Sequence, residues 1–219
     1  MIEIIAAVVR WSQLAANMIL IGSSIFLAIS AYNRVVISSP WVTRLERLLP
    51  WIAGILVIGL LALLAISSSL ATGVTEHAWQ PGAWSAFLTK TRTGHVWMWR
   101  EGFAILALGT ALLIRRSSSD RNQWRYVLCA TLAIITLSVG SLVSHAAAEE
   151  MSAASILPYA LHIILAGVWF GALPAFLLIL FTKRDGQSSQ EVDQSGIQTL
   201  KRFSIIAMPV MLGIIATGV

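Results

Sequence analysis

The sequence predicts an all-α protein, a polytopic bundle of transmembrane helices, and three observations carry that prediction. Hydrophobic residues make up 57% of the 219 residues and charged residues only 11%, against roughly a quarter charged in soluble domains. The mean hydropathy is +0.79. The apolar residues gather into long runs near 8–33, 50–74, 96–114, 125–147, 156–181 and 203–219, and about 20 apolar residues cross a bilayer as one helix. The chain therefore reads as a single transmembrane domain over 1–219, with six helices and little mass outside the membrane.

The first run is a retained helix. No basic cluster precedes it in Met1-Ile2-Glu3, the stretch from Trp11 to Tyr32 is too long for a signal-peptide core, and Tyr32-Asn33-Arg34 is a poor cleavage site. The second run follows a basic turn, Leu45-Glu46-Arg47-Leu48, and ends Leu70-Ala71-Thr72-Gly73-Val74. The third opens Thr91-Arg92-Thr93-Gly94-His95-Val96-Trp97-Met98-Trp99-Arg100-Glu101. Trp97 and Trp99 read there as interfacial belt residues, and Arg100 with Glu101 as a structural charge pair or a guard at an entry. The fourth run holds Cys129, the sole cysteine, which excludes an intrachain disulfide and a CxxC site. The fifth carries His162 and closes on Trp169-Phe170-Gly171, and 182–202 reads as a cytoplasmic loop. The sixth follows Leu200-Lys201-Arg202-Phe203 and ends Ile215-Ala216-Thr217-Gly218-Val219.

The loops set the orientation. Of 15 Lys and Arg, eleven (Arg34, Arg44, Arg47, Arg115, Arg116, Arg121, Arg125, Lys183, Arg184, Lys201, Arg202) fall on one side of the runs, and four (Arg10, Lys90, Arg92, Arg100) on the other. The first side is cytoplasmic by the excess of basic residues, so the N-terminus is periplasmic. His77, His95, His145 and His162 then all lie in the outer half. The net charge of +5 is explained by these loops rather than by nucleic acid.

The chain also hints at an internal repeat. Ala71-Thr72-Gly73 and Ala216-Thr217-Gly218 each end a run that follows a basic turn, and the first and fifth runs each carry a glycine, Gly22 and Gly171. An offset of four helices keeps the topology, so this would be a parallel repeat. Such a repeat calls for two further helices after Val219, making eight.

Candidate chemistry lies with the histidines. A lone imidazole in a membrane segment is expensive unless it has a partner or a task, which makes His162 the leading candidate; its alternative is a bond to a backbone carbonyl. His145 precedes Glu149 and Glu150, a cluster able to collect a cation, or simply a solvated helix end. His95 and Met98 share a helix face at i, i+3. Imidazole with thioether suits copper, the thioether favouring Cu(I), while the alternative reading makes Met98 core. His77, beside Glu76 and Trp79, reads as solvated. Met208 and Met211 form a second i, i+3 pair, either core packing or a relay for Cu(I). No Walker motif, dinucleotide fingerprint, HExxH, zinc CxxC pair or GxSxG element occurs, and the chain is read as neither an enzyme nor a nucleic-acid binder.

With these residues in place, the sequence resembles the copper resistance protein D family of bacterial inner-membrane proteins. The features that carry the resemblance are Thr93-Gly94 with the Trp/Arg start of the third helix, Ser144-His145-Ala146-Ala147-Ala148, Leu161-His162 with Trp169-Phe170-Gly171-Ala172-Leu173, and Lys201-Arg202-Phe203-Ser204 leading to Ala216-Thr217-Gly218. The resemblance implies copper handling across the inner membrane, copper moving inward, an eight-helix fold and a periplasmic copper-binding partner. It places the family's motif histidines on His145 and His162; extending the site to His95 and Met98 rests on their spacing.

The reading is thus a membrane protein, embedded in lipid, that captures copper near its periplasmic face through His145 and His162, with His95 and Met98 completing the site. Two rivals stand beside it. His95 and His162 on facing helices could ligate a b-type haem, or the protein could be a docking subunit for a periplasmic copper carrier without transport of its own.

Overall fold

A computed structural model describes residues 2–31, 39–116, 123–143, 153–181 and 189–218, with side chains described over all of these except 2, 153–155 and 189–196. Helix α1 spans Ile2–Ser30 and α2 Pro40–Thr72. A 3-10 turn at Thr75–Trp79 and a short helix α3, Pro81–Lys90, lead into α4, Arg92–Arg116. Then come α5, Gln123–Ser141; α6, Ala153–Gly171; α7, Leu173–Phe181; and α8, Ser189–Thr217. Six stretches are long and apolar enough to cross a membrane, with α6 and α7 together forming the fifth. The described chain is all-α.

Helix α2 starts well before the apolar run at 50. Ser39 has extended backbone and Pro40 occupies the first helical turn, where a missing N–H removes nothing the helix uses. Trp41, Leu45 and Leu49 are buried in the core, so the basic turn around Arg47 is one face of a helix whose other face is packed. Pro50 sits inside the helix without ending it. The far end closes on Gly73 at φ 71°, the left-handed cap that glycine accepts without a steric cost. The segment 182–202 is likewise helical from Ser189; a reading by apolarity passes over a polar helical extension. The loop after α2 also holds the helix α3, where Trp84 donates its indole N–H to the Ala78 carbonyl at 2.9 Å.

The helices run up and down, with α1 at the centre, packed on α2, α5 and α6. Leu20, Ile21, Phe26 and Leu27 of α1 are wholly buried. At one end, the arginine end, Phe26 meets Trp41 edge-on at 5.7 Å and Phe203 at 5.3 Å between centroids. There Tyr126 donates a hydrogen bond to the Glu46 carboxylate. At the other, the histidine end, Trp97 of α4 donates to the Leu60 carbonyl of α2 at 2.7 Å, and Arg92 to the Leu142 carbonyl at 2.8 Å. Trp51, Ile58, Ile205 and Leu212 are well exposed, as lipid-facing positions are in a bundle without an aqueous surface at that depth.

Gly22 and Gly171 meet where α1 crosses α6. A β-carbon on Gly171 would overlap the Met18 carbonyl oxygen, and one on Gly22 would overlap the Gly171 backbone. Small residues let two membrane helices approach backbone to backbone, and the Ser23 hydroxyl completes the contact by donating to the Gly171 carbonyl at 3.2 Å.

Asn17 is fully buried on α1, and neither its amide nitrogen nor its oxygen has a hydrogen-bond partner among the described residues. An unsatisfied buried polar group costs about 1–3 kcal/mol. Asn17→Leu is therefore expected to raise the thermal unfolding midpoint of the detergent-purified protein; a lowered midpoint would show that the amide is satisfied in a way the fold does not reveal.

Candidate functional site

The histidine end gathers most of the polar chemistry. Helix α6 enters it through Tyr159, His162 and Ile163. Helix α8 brings Thr217 alongside, with its hydroxyl 3.2 Å from the His162 Nδ1. That hydroxyl donates its one proton to the Gly213 carbonyl at 2.7 Å. With that proton so placed, the hydroxyl can accept from an Nδ1–H, an arrangement that leaves Nε2 with its lone pair. His162 is half-buried, and a neutral imidazole can ligate a metal through the ring nitrogen left free. The alternative expected from sequence, a bond to a backbone carbonyl, is not what holds it.

His95 reaches the same tautomer by another route. Its Nδ1 lies 2.8 Å from the Thr91 carbonyl oxygen, which can only accept, and Nε2 is again left open. Its ring is exposed, and Met98, 41% exposed, lies three residues on along α4, so the pair shares an outward face of that helix. His145, with Glu149 and Glu150, lies outside the described residues. Among the described residues no three His, Cys, Asp or Glu side chains converge as a metal site. Met208 and Met211 are 71% and 52% exposed on α8; they are not core, because that face of α8 has no described neighbour over it.

Sequence reasoning read His77 as solvated, without a partner. The Thr72 hydroxyl stands 2.8 Å from its Nδ1 and 3.1 Å from the Ser68 carbonyl four residues back. Threonine, helix carbonyl and imidazole thus repeat the arrangement at Thr217. The signal was present in the paired Ala-Thr-Gly motifs, which had been read as a mark of repetition rather than as anchors for histidines.

Arg100 and Glu101 are not hydrogen-bonded to each other. The Arg100 guanidinium donates to the Thr136 carbonyl and to Gln13 Oε1, each at 3.3 Å. Glu101 is 5% exposed, and neither carboxylate oxygen has a hydrogen-bond partner. The charge pair expected at this position is thus one without a direct hydrogen bond, between a partly buried guanidinium and a buried carboxylate that still feel each other's charge. They point apart because neighbours on a helix lie about 100° from one another. Arg100 borders a cavity of about 630 Å³ among α1, α2, α4, α5 and α6, to which Arg10, Gln13 and Tyr159 also contribute.

Fold and site together define a class: a multi-pass α-helical membrane protein whose histidines and intramembrane arginine collect at one end of the bundle. The chain belongs to the family described as copper resistance protein D-like, N-terminal domain, whose profile matches residues 1–156. It is similar to "Inner membrane protein YebZ" of Escherichia coli (strain K12), 32% identical over 161 residues, covering 72% of this chain and 51% of YebZ. It is also similar to "Copper transport protein CutJ" of Bacillus subtilis (strain 168), 28% identical over 184 residues, covering 83% of this chain and 33% of CutJ. The chain thus spans about half the length of the first relative and a third of the second. No solved structure matches it.

Proposed function

We propose that the protein takes part in copper transport or resistance at the bacterial inner membrane, binding copper at the histidine end and passing it towards the cytoplasm. The loop charges assign that end to the periplasm. The family, and the copper transport named for CutJ, support the copper role; the name of YebZ supports the inner membrane. The observation that carries the site is His162, an imidazole within a membrane span held by Thr217 with Nε2 open. His145, which the sequence puts in the same outer half, is the second ligand in this reading, with His95 and Met98 as the outer pair. A periplasmic copper-binding protein is the donor this arrangement calls for, and no catalytic step is needed.

Metal analysis with an absorption spectrum tests the reading on protein loaded anaerobically with Cu(I). Stoichiometric copper is expected, lost in the His145→Ala/His162→Ala double variant, with binding weakened by acidification as imidazoles protonate. Copper retained by the double variant would remove the basis of the site. A Soret band without copper would replace it with haem ligation.

A further inference from the structure

The cavity at the histidine end has the wrong charge for a bare metal cation. Among the described residues lining it, the charged ones are Arg10 and Arg100, and no carboxylate is among them. Both arginines border the same cavity, Arg10 from α1 and Arg100 from α4. Arg100 lies against Gly140, where a β-carbon would come within 3.0 Å of its Cζ, so α5 leaves room for the group. Its two long bonds to Gln13 and Thr136 use two of five N–H donors. Glu101, the next residue, is absent from the lining and makes no hydrogen bond to the guanidinium. An intramembrane arginine is retained where it pairs or serves a pathway, and among the described residues no acid is hydrogen-bonded to this one. The remaining wall is mixed: the Tyr159 hydroxyl on one side and apolar Leu14, Leu63 and Ile163 on others.

We propose that this cavity is an oxyanion site, taking a phosphate-class group between Arg10 and Arg100. Guanidinium forks match phosphate oxygens in pairs, Gln13 and Tyr159 hold further polar atoms at the same place, and the apolar wall accepts the hydrocarbon that adjoins a lipid phosphate. The same chemistry serves two sources, the head of an anionic phospholipid or free phosphate. A volume of about 630 Å³ exceeds what phosphate alone fills. If the copper reading holds, a bound oxyanion also offsets the repulsion that two guanidiniums impose on a cation approaching His162. The site itself does not depend on copper.

Native mass spectrometry of the purified, copper-free protein with phosphatidylglycerol, and calorimetry with inorganic phosphate, test the proposal and separate the sources. Binding of either probe is expected, weakened about tenfold or more by Arg10→Gln and by Arg100→Gln, and only partly kept by Arg100→Lys, which retains the charge but loses the fork, with phosphatidylcholine binding unaffected. Arg10 is exposed, so its variant keeps the test informative should Arg100→Gln fail to fold. Absence of binding by both probes, or affinities unchanged in the Arg10→Gln variant, would overturn the site.

Discussion

Gly171→Leu is expected to destroy the folded bundle. At Gly171 even a β-carbon would overlap the Met18 carbonyl oxygen, and the reciprocal position, Gly22, is no roomier. A clash with the far end of a side chain can be relieved by a new rotamer. A clash with backbone requires α1 and α6 to part, which strips the packing around Leu20 and Ile21, both wholly buried, and breaks the Ser23 bond to the Gly171 carbonyl. Overpacking a core costs about 1–3 kcal/mol when side chains can shift, and here the loss exceeds that range. The control is Gly54→Leu, since a β-carbon on Gly54 meets nothing. Monodisperse yield and melting midpoint in detergent read the outcome. A Gly171→Leu protein that melts like wild type would show that the α1–α6 crossing is not the close contact described.

Thr217→Val is expected to weaken copper binding by about 10–100-fold, the usual effect of losing a group that orients a metal-bound imidazole. Valine keeps the shape of threonine and removes the hydroxyl. The Gly213 carbonyl then loses its side-chain donor, and the His162 Nδ1–H loses its acceptor. The ring is free to turn and to move its proton to Nε2, which takes away the lone pair that would bind the metal. Thr217→Ser restores both bonds and should lie within a few-fold of wild type. Competition with a Cu(I) chelator measures the difference. Equal affinity for the valine and serine variants would dissociate the threonine from the site, whatever His162 itself does.

The two variants probe different levels of the same molecule, and they were legible to different degrees. Gly22 and Gly171 stood out in sequence as small residues within long apolar runs, but only as a possible repeat. Their meeting requires α1 and α6 to cross at one depth, 149 positions apart in the chain, and no local pattern states that. His162 was legible because a lone imidazole within an apolar run is costly. Thr217 as its partner was not, because it arrives from another helix 55 residues on. The Arg100–Glu101 pair misled for the opposite reason: adjacency in sequence suggested contact, while the helix turns adjacent side chains apart.

Six apolar runs, separated by short loops with most of their arginines and lysines on one side, determined the membrane class and its all-α character, because a lipid interior leaves the backbone few ways to satisfy its own polar groups. They also led to the expectation that the histidines share one half of the protein. The tertiary structure alone decided which groups His95 and His162 meet, the Thr91 carbonyl and the Thr217 hydroxyl. It also decided that Thr72 anchors His77 as Thr217 anchors His162, and that two arginines from α1 and α4 share a cavity with no carboxylate among the described residues of its wall. Periodicity and hydropathy are sums over neighbours along the chain, whereas a hydrogen-bonded imidazole or an uncompensated charge is a relation between helices.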